Sequence, residues 1–564
     1  MGNESFGEIR KKQVRKIIAQ FIFGLTILFA VGSFAYRATQ DTQSTTSTTD
    51  TSQKDPEPSD DSFDLVSSQV CLGELPPDLT DLLERELSNT QQLTSDDNSC
   101  TLILSSGIVD SNRYNSLYHR VYTLVSRADQ PILNVTWADL KDGLNRGSID
   151  KYKIYLTDEA SFFIDAMYGT STRGLSKNVT ELIDTVLNDP NTLAILPIEE
   201  LLPKVKSVAI DGITPFSDDL YVFTYPLSGT IWSTIPDQEQ QDLYIKVEGL
   251  VEEYFGSNSY DQENVRSILL TGRSAIGSRS LFSSENSTTD NLFSNITTMI
   301  KDADISILNN ESSFIENCSQ SPETRILCSL PIEQSLISDI GFDIVGVSGQ
   351  SVLDVGRPAF ESTLSGYLEQ DLGYYGGGMD REEAKIGVTI EQDKLKMFLT
   401  GFSLVTPTRY LSTDRSSGTL APDKVAGDGY YLSETLLDRP QDEIQIVDMQ
   451  WGSDISSTIS EQEKNYALRL VGAGADLVFG TNSIIVKPME YIDSVPVFYG
   501  LGDFAYPPDK GVEGRSIMVR LYLYNGQFLT YELIPTTIDD SGIIDIDMDS
   551  YGEILNTVYE NTNF

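Results

Sequence analysis

The chain has 564 residues, with 40 Lys and Arg against 84 Asp and Glu, one histidine and four cysteines, and a net charge of −44. Such a charge repels nucleic acid and anionic lipid and attracts cations or basic partners, which argues against DNA or RNA binding. With His119 as the only histidine, a metal centre built on imidazole lacks its ligands, and a Ser-His-Asp triad has a single possible base.

At the N-terminus, Arg10, Lys11, Lys12, Arg15 and Lys16 precede an uncharged run from Ile17 to Tyr36. At ~1.5 Å rise per residue, a helix of that length just crosses a ~30 Å hydrocarbon core. The basic flank keeps residues 1–16 in the cytoplasm and sends the rest outside. A cleaved signal would be shorter and would end in a small-x-small site, whereas this run continues into Phe34, Tyr36 and Arg37. The expectation is a single-pass cell-membrane protein. The first 37 residues carry six Lys and Arg against Glu4 and Glu8, a charge of +4, which leaves −48 for the remainder. Residues 37–62, rich in Ser, Thr, Asp, Gln and Pro, bury too little apolar surface to offset ordering and read as a stalk.

Two extracytoplasmic domains follow, 63–260 and 265–536, separated by a stretch of Gly, Ser, Asn and Asp near 256–264. A tail, 537–564, ends the chain. The first domain alternates apolar runs (Thr101 to Leu104, Thr192 to Leu196, Leu220 to Tyr225) with helical patterns (Leu79 to Leu87, Val179 to Leu187), which predicts an α/β fold. Outside the cytoplasm the cysteines oxidise. Of three connectivities, proximity favours Cys71 with Cys100 and Cys318 with Cys328. Asp545-Ile-Asp-Met-Asp-Ser-Tyr-Gly552 begins like a calcium loop, but Ser550 stands where the loop needs Gly and Asn556 where it needs Glu. An acidic strand edge is the better reading.

Within the first domain, Asn134-Val-Thr-Trp-Ala-Asp139, Ala194-Ile-Leu-Pro197, Val208-Ala-Ile-Asp-Gly212 and Tyr225-Pro-Leu227 resemble, in order, landmarks of extracytoplasmic solute-binding proteins of the phosphate and molybdate type. That resemblance implies a periplasmic-binding-protein-like α/β domain, either a solute receptor or a structural module.

The second domain presents Ile268-Leu-Leu-Thr-Gly-Arg273, Asn309-Asn310-Glu311, Gly341-Phe-Asp-Ile-Val-Gly346, Tyr375-Gly-Gly-Gly378, Gln450-Trp451-Gly452, Gly480-Thr-Asn-Ser-Ile484 and Gly500-Leu-Gly-Asp-Phe504. In this order the blocks resemble the CapA family of capsule and poly-gamma-glutamate synthesis proteins. The resemblance implies a four-layer α-β-β-α sandwich like that of the calcineurin-type metallophosphoesterases, binding divalent Mn or Zn at turns on the carboxyl edge of its sheets. It further implies a role in surface-polymer synthesis or export and a possible membrane complex of polymer synthesis as partner.

Against that pattern this chain departs position by position. The family's Gly-Asp is Gly272-Arg273, and its Asn-Asn-His is Gly349-Gln350-Ser351. Its His-Trp-Gly is Gln450-Trp451-Gly452, followed by Asp454, and its Gly-His-His-Pro-His is Gly480-Thr481-Asn482-Ser483-Ile484. Glu311 and Asp354 keep carboxylates. Amides and hydroxyls are poor ligands for Zn or Mn, and an obligate cation at a metal position repels the ion. The expectation is therefore a pseudoenzyme with no cofactor, in which Arg273 pairs with Glu311 or Asp354. The alternative is a residual hydrolase working through Glu311, Asp354 and Asp454.

Overall fold

The computed structural model describes residues 69–564 apart from 89–91, 95–99, 107–112, 173–174, 239, 257–258, 277–291, 319–325, 393, 424–429, 438, 441, 453–454, 507–513 and 539–542. The expected cytoplasmic tail, transmembrane helix and stalk, and Asp454, lie outside the described residues. Among the described residues no helix is long and apolar enough to cross a membrane.

In the first region a long strand, Tyr114–Arg127, organises a nine-stranded mixed sheet. Its first half pairs antiparallel with Ser228–Thr234, and its second half with Thr192–Pro197 and Val205–Ile210. Helices cover it and end where the chain dictates. Trp137–Arg146 starts at Thr136, whose hydroxyl accepts from the Asp139 amide, and stops at Gly147, which takes a φ of 82°. The run Leu220 to Tyr225, expected as a strand, is a pair of turns instead, with the Thr224 amide bonded to the Tyr221 carbonyl. Pro226 has no amide to offer a ladder, and the strand begins after it, at Ser228.

The second region holds two sheets. Parallel strands Val265–Ser274, Ile305–Asn310, Ile344–Gly346 and Gly373–Tyr375 are extended by antiparallel strands Arg515–Tyr524, Gln527–Ile538 and Ile544–Ile546. The second sheet runs Val388–Gln392, Leu395–Ser403, Ile444–Gln450, Leu477–Gly480, Val495–Phe498, Met489–Ile492. Apolar side chains on one face of the first sheet (Leu269, Leu308, Val345) pack with Ile300, Ile337 and Leu364 of its helices. Val447, Met449 and Val478 of the other pack with Tyr466, Ala467 and Leu470 of helix Glu461–Gly472. Tyr375 of the first sheet lies against Gly401 of the second, where a Cβ would meet its ring at 2.9 Å. The order is helices, sheet, sheet, helices.

Residues 69–564 form one compact unit. Thr530 donates to the Val205 carbonyl at 2.5 Å and Tyr491 to that of Pro203 at 2.8 Å, while Phe216 stacks on Tyr522 and Tyr260 on Tyr524. Of the segment expected as a tail, 537–564, the described residues are built in. Ile544–Ile546 adds to the sheet, and helix Tyr551–Val558 buries Tyr551, Ile554, Leu555 and Val558. That amphipathic spacing makes a packed helix, and it occupies the second half of the calcium-like motif.

Candidate functional site

The strand Val265–Ser274 ends against the chain at Leu501–Ala505, and glycine permits the approach. A Cβ at Gly272 would sit 2.2 Å from the Gly502 carbonyl oxygen, and the Arg273 amide bonds to that oxygen at 3.0 Å. Arg273 is thereby laid across Asp503, Nε to Oδ1 at 2.7 Å and Nη2 to Oδ2 at 3.1 Å, with both side chains almost wholly buried. The Tyr506 ring covers the guanidinium at 3.8 Å. Burial alone would weaken its proton affinity, but the charges of Asp503 and Glu311 outweigh it and raise the pKa. The partner of Arg273 is therefore Asp503 and neither Glu311 nor Asp354. Proximity along the sheet decides this, since Arg273 and Asp503 are paired residues on adjacent parallel strands.

Glu311, just past the end of Ile305–Asn310, is fully buried, and neither carboxylate oxygen has a hydrogen-bond partner. Its side chain fills the space left by Gly349, where a Cβ would come within 2.3 Å of it. Burial pushes its pKa to about 7; Arg273 pulls it down, and Asp503, Asp354 and Asp448 push it up. Gln350, Ser351 and Asp354 stand half-buried on the following loop. Asp354 accepts from the Leu327 amide at 3.4 Å and is raised by burial.

Across the sheets a second carboxylate, Asp448, is fully buried but well supplied with donors. It accepts from Asn309 Nδ2 at 3.0 Å, Ser348 Oγ at 2.5 Å and Thr481 Oγ1 at 2.5 Å. Burial raises it to about 6 against those bonds. Gln450 joins the network, donating to Asn309 Oδ1 at 3.2 Å and Thr481 Oγ1 at 2.8 Å. Asn482 turns to the carbonyls of Trp451 and Gly452, and Ile484 is buried. Close behind, Lys487 and Glu463 make a buried ion pair at 2.8 Å.

The edge of the two sheets thus unites Arg273, Glu311, Gln450 and Asn482 in one polar core, while Gln350, Ser351 and Asp354 line its margin. These residues do not fit a pair of divalent ions. A guanidinium occupies one expected ligand position, already satisfied by Asp503; Thr481 donates to Asp448, and Gln450 donates to Asn309 and Thr481, which leaves only its neutral amide oxygen, a poor ligand, without a partner. Among the described residues no three His, Cys, Asp or Glu side chains are grouped to hold a metal. Asn309 and Asp503 stand in the family-like sequence blocks, but neither they nor Asp448 were given a site role from the sequence. The signal for Asp448 was there, a lone charge in the buried strand Ile444–Gln450, because a charge in such a strand must be paired or bonded. His119 lies apart, its Nδ1 3.1 Å from Thr230 Oγ1 and its ring edge-on to Phe223.

This arrangement defines a two-sheet α/β domain whose polar site sits at the carboxyl ends of its strands. Residues 267–507 match the family model described as Bacterial capsule synthesis protein PGA_cap. The PGA biosynthesis protein CapA of Bacillus subtilis (strain 168) is 20% identical over 232 residues, 41% of this chain and 60% of that protein. The capsule biosynthesis protein CapA of Bacillus anthracis is 20% identical over 206 residues, 36% of this chain and 50% of that protein. A probable polyglutamine synthesis accessory protein of Mycobacterium tuberculosis is 25% identical over 210 residues, covering 35% and 55%. The chain therefore spans 50% to 60% of the length of these relatives. Among solved structures, an ABC-type phosphate transport receptor from Vibrio cholerae aligns with 34% of this chain and 100% of its own at 15% identity and a TM-score of 0.26. A hypothetical protein from Thermus thermophilus aligns with 48% and 98% at 12% identity and a TM-score of 0.30.

Proposed function

We propose that this protein is a membrane-anchored, extracytoplasmic accessory component of surface-polymer synthesis or export, and that its CapA-like domain acts by binding or scaffolding instead of hydrolysis. The observation that carries the reading is the Arg273–Asp503 pair, bidentate and buried where the family resemblance implies a metal ligand. An Arg-carboxylate pair can supply, permanently, the positive charge that ions would otherwise bring to Glu311 and its neighbours. The guanidinium itself activates no water, because it neither lowers the pKa of a bound water as a metal does nor accepts a proton. The uncharged run Ile17 to Tyr36 supplies the anchor. The first domain stands beside the polymer module as a structural companion. Three of its helices carry acids in their first turns, Asp139, Asp158 with Glu159, and Glu181, which disfavours an anion at those ends.

The test is deletion of the gene in its own host, with extracted surface polymer quantified by acid hydrolysis and amino-acid analysis. Loss of polymer, restored by the wild-type gene, is expected. Unchanged polymer in the deletion strain would contradict the reading.

A further inference from the structure

The amino ends of the second sheet frame a cleft of about 660 Å³, at the end of the strands opposite the Arg273–Asp503 core. Small-molecule sites occupy roughly 300–1,000 Å³, so the cleft is of the right size for one. It opens where Ile444–Gln450 and Val495–Phe498 begin, and hairpin turns form its walls. One wall carries Lys394, between Val388–Gln392 and Leu395–Ser403, laid against the turn Asn525-Gly526 of the first sheet. Glycine permits that approach, since a Cβ at Gly526 would sit 2.3 Å from the Lys394 carbonyl oxygen, and its φ is 78°. Another wall is the two-residue turn Asp493-Ser494. Pro203 of the first region, Val495 and Phe528 supply apolar lining.

The charges in the cleft divide into those already neutralised and those left open. Lys396 is paired with Asp442, and Glu443 is held by both arms of Arg439, at 2.8 and 3.0 Å. Lys394 donates to a neutral acceptor, the Asn525 side-chain oxygen at 2.7 Å, which leaves its charge uncompensated. Asp476 accepts from the Gln445 amide at 2.7 Å, and loss of solvation raises its pKa. Among the described residues neither Asp476 nor Asp493 makes an ion pair. One positive and two negative charges are therefore open to a ligand.

We infer that this cleft binds a dibasic amino acid, with Lys394 taking the carboxylate, Asp476 and Asp493 the two ammonium groups, and the apolar lining the methylene stem. Two cations and one anion on a short stem are the complement of the charges left open. A dicarboxylate or a nucleotide would instead meet both aspartates with like charge. Charge-assisted hydrogen bonds in a partly enclosed cleft are stronger than neutral ones, which gives such a ligand its advantage over an uncharged solute. The site goes beyond the polymer role and does not depend on it.

Calorimetric titration of the full chain in detergent with lysine, cadaverine, norleucine and glutamate tests the assignment. Lysine should bind. Cadaverine, which lacks the carboxylate, and norleucine, which lacks the side-chain ammonium, should each bind roughly tenfold more weakly, and glutamate weakest of all. Asp476→Asn and Asp493→Asn should each weaken lysine binding roughly tenfold. Lys394→Met should bring lysine down to the level of cadaverine while cadaverine binds as well as before or better, a pattern that misfolding cannot produce. No binding of lysine by wild type, norleucine or glutamate binding as tightly as lysine, or lysine binding unmoved by both aspartate changes would overturn the inference, and each would leave the accessory role standing.

Discussion

Glu311 and Arg273 show how differently two buried charges can be held within one site. Glu311 has an ordinary pKa of 4.5 when unfolded and about 7 in the fold, so its ionisation opposes folding. The sign follows directly: below pH 4.5 the group costs nothing, between 4.5 and 7 stability falls as pH rises, and above 7 the full penalty, roughly 3 kcal/mol, is present. Urea unfolding of Glu311→Gln between pH 5 and 8 should therefore lose that slope relative to wild type; parallel curves would contradict the burial argument. Arg273 and Asp503 behave as a unit. Arg273→Met strands a buried carboxylate and should cost about 3–5 kcal/mol, much of it recovered in the double variant with Asp503→Leu, because the uncompensated charge is then gone. A double variant no more stable than Arg273→Met alone would show that the pair is held by something other than charge. From sequence, an arginine was legible where the resemblance implies a ligand. Its partner was not, because the close approach of Gly272 to Gly502 is a tertiary event.

Among the elements, strands and helices with a clear period were legible to within a residue or two: Pro77–Ser88, Thr192–Pro197 and Val179–Asn188 lie where their apolar spacing puts them. The Leu220 to Tyr225 run was misread because apolar content outweighed Pro226, and in the structure Tyr221 and Phe223 face solvent. The acidic segment 537–564 was read as a tail because its charge hid a helical stripe at Tyr551, Ile554, Leu555 and Val558. Proximity named the staples Cys71–Cys100 and Cys318–Cys328, and both are present. Each closes a modest loop, so Cys318→Ser/Cys328→Ser should lower stability by roughly 2–3 kcal/mol on chain-entropy grounds. Calorimetry checks this, and an unchanged melting temperature would mean the loop is already constrained without the bridge.

For the molecule as a whole, the joint between the two regions carries a second ill-placed charge. Lys206 is buried, donates to the Tyr551 hydroxyl at 2.8 Å, and is lowered from 10.5 to about 7, first by burial, with Glu532 and Asp129 opposing. A base whose folded pKa falls below its unfolded value costs stability fully below pH 7, and the cost fades as pH rises to 10.5. Lys206→Met should accordingly melt higher than wild type at pH 7 and converge with it near pH 10; no convergence would place the cost elsewhere. This joint was not legible in the sequence, since it brings together Lys206 and Tyr551, far apart along the chain. The most direct test of a site closed by arginine and carboxylate is elemental analysis of Mn, Zn and Fe in the purified full chain after dialysis. No stoichiometric metal is expected, and two ions per chain that disappear in Glu311→Gln would contradict the account.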